Sequence, residues 1–185
     1  ERDVEKAIQL IESAGYTKNS DGMYFSATID VFNVEPFTDI ATILKDNLKD
    51  IGVDVKINMM EEAAWDEKVW YGRNYDFSLL AGYQGPDPGA LAPRFSTDGL
   101  INLMGYSNSK VDEALKKGGS LVKQEERAPY YQEAQKYIVE DVPIVPISEY
   151  ISIAPYQSYV EGHPTSEGII DKTGFHEYTY VWLNK

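Results

Sequence analysis

The chain has 185 residues, with 30 acidic and 17 basic side chains, a formal net charge of −13, no cysteine and 14 tyrosines. That length suits one domain, or one domain with an appendage, and can bury a sizeable core. The composition excludes a disulfide scaffold, a thiolate metal site and a cysteine nucleophile. It argues against nucleic acid, whose phosphates need a basic patch, and no run of roughly 18 uncharged apolar residues is present to span a membrane.

Residues 1–6 alternate in charge and lack the basic start and apolar run of a signal peptide. The first residue is Glu1 rather than a start methionine, so the expectation is a segment cut from a longer chain at a domain boundary. Val4, Ile8, Leu10 and Ile11 recur with a helical period, and Gly15 stops that helix. Residues 19–22 predict a turn. Phe25, Ala27, Ile29 and Val31 then alternate with Ser26, Thr28 and Asp30 as a strand. Pro36 opens a second helix, where its missing N–H does no harm. Ile40, Ile43, Leu44, Leu48 and Ile51 line one face of it, and Gly52 ends it.

Val53, Val55, Ile57 and Met59 form a second alternating strand, and residues 61–71 a helix with acids in its first turn. After Gly72, Phe77, Leu79 and Leu80 belong to a third, more continuously apolar strand. This β-α-β-α-β order, with crossovers of a dozen residues or more, calls for a parallel sheet. Two further helices follow, over 110–117 and 125–141, separated by Gly118-Gly119. The second carries Tyr130, Ala134, Tyr137, Ile138 and Val142 at helical spacing, and Pro143 and Pro146 break it. A strand is expected over 147–153, a turn-rich stretch over 155–174 and a final aromatic strand over 178–182.

The stretch from 74 to 109 holds only four charged residues, Asp76, Asp87, Arg94 and Asp98, yet five of the 14 glycines and three of the nine prolines, with Tyr83 and Tyr106. It follows the third strand, and open α/β sheets bind ligands just past the carboxyl ends of their strands. Tyrosine suits recognition because a rigid ring stacks and its hydroxyl bonds at small entropic cost. The alternative is a long structural loop covering a sheet edge.

Catalytic and metal patterns are weak. His163 and His176 lack the short spacing of helical zinc ligands and read as surface residues. Glu61-Glu62 and Asp66-Glu67 could offer a carboxylate pair for glycoside hydrolysis, but adjacent acids point to different sides of a helix, and a solvated face explains them more simply. No catalytic residue, resident metal or cofactor is expected.

Five stretches, taken in order, resemble the C-terminal lobe of the family 5 extracellular solute-binding proteins that serve oligopeptide and dipeptide ABC importers. These are residues 7–16 (AIQLIESAGY), 44–55 (LKDNLKDIGVDV), 75–88 (YDFSLLAGYQGPDP), 102–115 (NLMGYSNSKVDEAL) and 125–146 (EERAPYYQEAQKYIVEDVPIVP). The resemblance implies an α/β, periplasmic binding protein-like lobe of type II. Its three layers would hold a mixed, mostly parallel sheet flanked by helices. It implies residues 1–154 as the C-terminal lobe and 155–185 as a tail that completes a missing N-terminal lobe.

The implied function is capture of a peptide or similar solute between two lobes and delivery to an ABC permease. The implied location is outside the cytoplasm, periplasmic or as a cell-surface lipoprotein. Tyr83, after Gly82, takes the family's aromatic position. The acid that holds a peptide's α-amino group is replaced here by Gln84-Gly85-Pro86, leaving Asp87 nearest. A neutral amide cannot pair with an ammonium as a carboxylate does, so either Asp87 takes over or the ligand lacks a free amine. Trp65, Asn102 and Tyr106 complete the candidate ligand residues, with a core tryptophan the alternative for Trp65. Other readings remain: an oligosaccharide or metal-chelate binder, a hydrolase using Glu61, Glu62 or Asp87, or an interaction domain that meets a permease through its acidic surface. Apolar area uncovered by the missing lobe makes a homodimer of the fragment a further expectation.

Overall fold

Asp3 starts the first helix, its carboxylate accepting the Lys6 amide, and α1 runs over Val4–Ser13 in the computed structural model. That model describes residues 2–82, 87–149, 155, 157–161 and 181–184. The chain divides into two units, Glu1–Ala81 and Gly82–Lys185.

In the first unit the expected turn forms around Asn19, whose side-chain oxygen accepts the amides of Asp21 and Met23. Strand β1 (Phe25–Phe32), helix α2 (Phe37–Lys49) and strand β2 (Val53–Met60) follow as the periodicity predicts. Gly15 and Gly52, at φ of 90° and 80°, turn the chain out of α1 and α2 through a conformation that costs glycine nothing. Pro36 sits at the N-cap, one position ahead of α2.

Helix α3 is an α-helical turn, Glu62–Trp65, that continues as a π-helix over Asp66–Tyr71, with the Gly72 amide donating five residues back to the Glu67 carbonyl. Strand β3 is shorter than its apolar run suggests, Phe77–Ser78 alone, with Leu79 buried but Phe77 and Leu80 exposed. The three strands pair in parallel in the order β2-β1-β3. One face of the sheet, with Ile29, Val31, Val53 and Val55, packs on Ala41, Ile40, Leu44 and Leu48 of α2. Ile43 departs from expectation and is exposed, because the apolar stripe of α2 follows Phe37, Ile40, Ala41, Leu44 and Leu48. The other face meets α3, where Phe32 stacks on Trp65 at 4.3 Å between ring centres. Helices on both faces make the expected three layers, and the three described strands of this sheet pair in parallel.

In the second unit, residues 88–141 are mainly helical. A 3-10 turn, Pro88–Leu91, leads into the short α4 (Ala92–Phe95). Helix α5 (Ser109–Ser120) and helix α6 (Gln124–Asp141) then enclose a core of Phe95, Val111, Ala114, Leu115, Tyr131, Ala134 and Ile138. Gly118 and Gly119 do not separate the helices as expected but lie inside α5. At Gly118 the Tyr131 ring of α6 comes so near that a β-carbon would meet it at 2.9 Å. The absent side chain is therefore a contact surface, and of the two neighbouring tyrosines it is Tyr131, not Tyr130, that α6 buries. Gly118→Val is expected to destabilise the fold by about 1–3 kcal/mol through overpacking, readable as a lower urea midpoint at unchanged slope.

Helix α6 ends at Val142, which is exposed at φ 50°, and residues 143–149 form no strand, so the start of the strand expected over 147–153 is not one. The rest of that span lies outside the described residues, as do His163, His176 and most of the stretch 155–174. Near the end, β4 (Val160–Glu161) and β5 (Trp182–Leu183) pair antiparallel with one another.

Candidate functional site

Parallel strands all end at the same edge of their sheet, and residues there share an environment that no single strand supplies. In β1 the alternation places Asp30 opposite the apolar face, where a solvated acid would be expected, yet its side chain is fully buried beneath α3. Register makes this possible. Asn58 of β2 and Ser78 of β3 stand directly beside Asp30, one on each flank. The Asn58 amide donates to the Asp30 carboxylate at 2.6 Å. Lys68, from the π-helical turn, brings its ammonium to both carboxylate oxygens at 2.7 Å. The Ser78 hydroxyl donates to the Asp30 carbonyl at 2.7 Å and accepts the Trp65 indole N–H at 2.9 Å. A buried charge is tolerated only when paired and hydrogen-bonded, and this one is both.

Just beyond this polar row the strands stop and the surface opens into a hollow of about 370 Å³, lined by Phe32, Asn33, Val34, Met60, Glu61 and Glu62. Its floor joins the carboxyl ends of β1 and β2, tied by the Asn33 amide donating to the Met60 carbonyl at 2.9 Å. Apolar side chains beside two carboxylates would suit a solute with an apolar body and a basic group.

The second unit places most of the other candidate residues, and in each case against the protein itself. Asn102 is buried: its amide donates to the carbonyls of Ser96 and Tyr106, at 3.0 and 2.7 Å, and its oxygen accepts the Tyr106 amide at 3.0 Å. The Tyr106 hydroxyl donates to Asp141 at 2.6 Å, beside the Asn108 amide at 2.7 Å. Burial, reinforced by the Asp141 carboxylate, pushes the Tyr106 phenol up to about 12. Asp87 accepts two parallel bonds from the Arg127 guanidinium, at 2.8 and 2.9 Å, and one from the Gly89 amide at 2.7 Å. The guanidinium first, then that amide, hold its carboxyl down at about 2.

Of the six expected ligand residues, then, Trp65 is a fully buried core side chain stacked between Phe32 and Trp70. Asn102 ties the loop between α4 and α5 to itself, and Tyr106 fixes that loop to the end of α6 through Asp141. Asp87 has its charge already paired. Tyr83 and Gln84 lie outside the described residues. The sequence reading missed Asp30, Asn58, Lys68 and Arg127. Asp30 could have been found as the one acid in a strand otherwise built for burial, but nothing in sequence shows that Lys68 reaches it.

Comparison with known proteins places this geometry. The family model for bacterial extracellular solute-binding proteins, family 5 (middle region), matches residues 1–100. The heme-binding protein A of Haemophilus influenzae is 27% identical over 168 residues, 89% of this chain and 30% of its own length. Among solved structures, the periplasmic binding protein DppA of Helicobacter pylori, in complex with the peptide STSA, superimposes with a TM-score of 0.80 at 27% identity, over 99% of this chain and 35% of that one. NikZ of Campylobacter jejuni, in complex with Ni(L-His), does so with a TM-score of 0.68 at 28% identity, over 77% and 31%. The chain spans at most about a third of the length of the relatives named here. With a parallel three-layer fold, an open hollow at its strand ends and a family match over more than half its residues, the chain belongs to the family 5 bacterial extracellular solute-binding proteins.

Proposed function

We propose that this chain is the second lobe of a solute-binding protein that captures a peptide outside the cytoplasm and hands it to an ABC permease. Residues 1–154 would form the lobe and 155–185 the tail that returns to the first lobe. The observation that carries this reading is the hollow at the carboxyl ends of β1 and β2, apolar in its floor and acidic at Glu61 and Glu62. Asp87 is a poor partner for a peptide's α-amino group, because Arg127 already occupies both its oxygens. The acids of the hollow are the better-placed partners, and Tyr83 remains the proposed aromatic contact. Peptide is chosen because relatives carry it: DppA of Helicobacter pylori was solved with a peptide, and others in the family are named for heme or hold a nickel chelate.

An exposed apolar run, Val139, Val142, Val145 and Ile147, supports a first lobe covering this end of the chain. Export as a lipoprotein or to the periplasm follows from the same reading.

The test is ligand-dependent melting of the full-length protein with the peptide STSA, maltotriose and nickel with L-histidine. A shift with the peptide is expected, and Glu61→Gln with Glu62→Gln is expected to weaken it by about tenfold or more, as loss of a charge-assisted bond does. A shift with maltotriose or the nickel chelate alone would overturn the peptide assignment. Full affinity in the double variant would move the amine elsewhere. Hydrolysis of the peptide would replace the binding reading with an enzymatic one.

A further inference from the structure

Period two along β1 carries Phe32 to the same face as Asp30, and in register it stands beside Met60 at the end of β2. Both residues line the hollow. The Phe32 ring is held from two sides. Trp65 lies 4.3 Å from it, centre to centre, and Phe37 meets it edge-on at 5.4 Å. Trp65 is itself fixed, because it is buried and its indole N–H is bonded to Ser78. Phe32 is only half-buried. It therefore gives the hollow an aromatic wall that is rigid before any solute arrives.

The negative charge beside this wall exceeds what one amine needs. Glu61 occupies the N-cap of α3, yet its carboxylate makes no capping bond. Neither it nor Glu62 is in an ion pair among the described residues. Asp30 and Asp87, by contrast, are both paired. A peptide's single α-ammonium is matched by one carboxylate, which leaves the second without a counter-charge. The apolar surface of Phe32, Val34 and Met60 is likewise left over, since an ammonium is compact and strongly hydrated.

An arginine side chain matches both leftovers. Its guanidinium is a planar cation that pairs with a carboxylate and stacks on an aromatic face, and its apolar stem covers apolar surface. Lysine supplies the charge and the stem but not the plane. We propose that Phe32 is a specificity-determining residue: its ring is the wall on which an arginine guanidinium stacks, so that the hollow selects peptides beginning with arginine, whose two cations meet Glu61 and Glu62. The inference rests on the peptide-binding function proposed above and names the class of peptide.

The test titrates the full-length protein with STSA, KTSA, RTSA and a fourth tetrapeptide in which citrulline, which has the shape of arginine without its charge, replaces the first residue. RTSA is expected to bind about tenfold more tightly than STSA, as a second paired cation provides. It should also bind about threefold or more tighter than KTSA, the margin that a partly exposed cation–π contact supplies. The citrulline peptide should bind more weakly than KTSA. Phe32→Leu keeps an apolar side chain and removes the ring, and is expected to abolish the preference for RTSA over KTSA. Phe32→Tyr keeps the ring and should retain it. Each preference is a ratio of two peptides on one protein, so stability lost by a variant cancels from it.

Equal affinity for RTSA and KTSA in the wild type would overturn the proposal. So would a preference that survives in Phe32→Leu, or one lost equally in Phe32→Tyr. If STSA binds and RTSA binds no tighter, the selection of arginine falls while the peptide reading stands. Binding of RTSA without STSA supports both. If none of the four peptides binds, the peptide reading fails and takes this inference with it.

Discussion

Lys68→Met is expected to destabilise the protein by about 3–5 kcal/mol, because it leaves the Asp30 carboxylate buried with its counter-ion gone. The two ends of this pair are unequal. Asp30 is wholly enclosed between the sheet and α3, whereas the side chain of Lys68 keeps 31% of its surface in water. Methionine keeps an unbranched apolar stem of similar length and removes the ammonium. Asn58 still donates at 2.6 Å, but one amide does not offset a desolvated charge. Adding Asp30→Asn to Lys68→Met is expected to recover most of the loss, since the acid that needed a partner is then neutral. Urea denaturation of the four proteins in this cycle checks it. A single-variant loss below about 1 kcal/mol would mean that the pair behaves as an exposed one.

The second large effect is at Trp65. Trp65→Ala is expected to cost about 3–5 kcal/mol, the usual range for removing a fully enclosed aromatic side chain. Its ring lies 4.3 Å from Phe32 and 6.4 Å from Trp70, so a cavity there would open directly under the carboxyl edge of the sheet. Trp65→Phe keeps much of the ring volume and gives up the N–H bond to Ser78, for a smaller loss of about 1–3 kcal/mol. The two variants also separate the two sequence readings of this residue. A core tryptophan lowers the melting temperature and leaves the solute affinity of Trp65→Phe unaltered. Weakened binding at wild-type stability would place Trp65 in the cleft instead.

The order of elements was legible because the first two strands and the helices follow their own periodicities, and because glycines at 15 and 52 sit where the chain must turn left-handed. Illegible were features decided by a distant partner. Tyr130 and Tyr131 fit the stripe of α6 about equally well, and it is the bare backbone at Gly118 that selects Tyr131. The same glycine, read as a helix end, is a packing surface inside α5. Strand β3 is short although its residues are apolar, and ladder pairing with β1 covers only Phe77 and Ser78.

The candidate site was legible in a different and more misleading way. The residues that mark the family in sequence, Asn102, Tyr106, Asn108 and the acid of the DP turn, are polar groups in a charge-poor stretch, which is how a binding loop also looks. In the fold their bonds close on each other and on Asp141 and Arg127. A sequence shows which residues are polar but not whether their hydrogen bonds are already spent. The acids of the hollow, Glu61 and Glu62, were noted only as a weak catalytic pair, because their position at a sheet edge depends on β1 ending beside them.

The row Asn58–Asp30–Ser78 has a bearing on how the sheet is assembled. Because side chains alternate along β2, a one-residue slip would turn Val53, Val55 and Ile57 away from the core they share with α2, so hydrophobic burial and the polar row select the same alignment. A shift of β2 by one residue would turn Asn58 to the opposite face and set an apolar side chain against the acid. Misaligned sheets would thus lose the amide bond to the buried carboxylate that the native alignment makes. Asp30 acts as a register key, and its loss would show first as mixed strand alignments among refolded molecules.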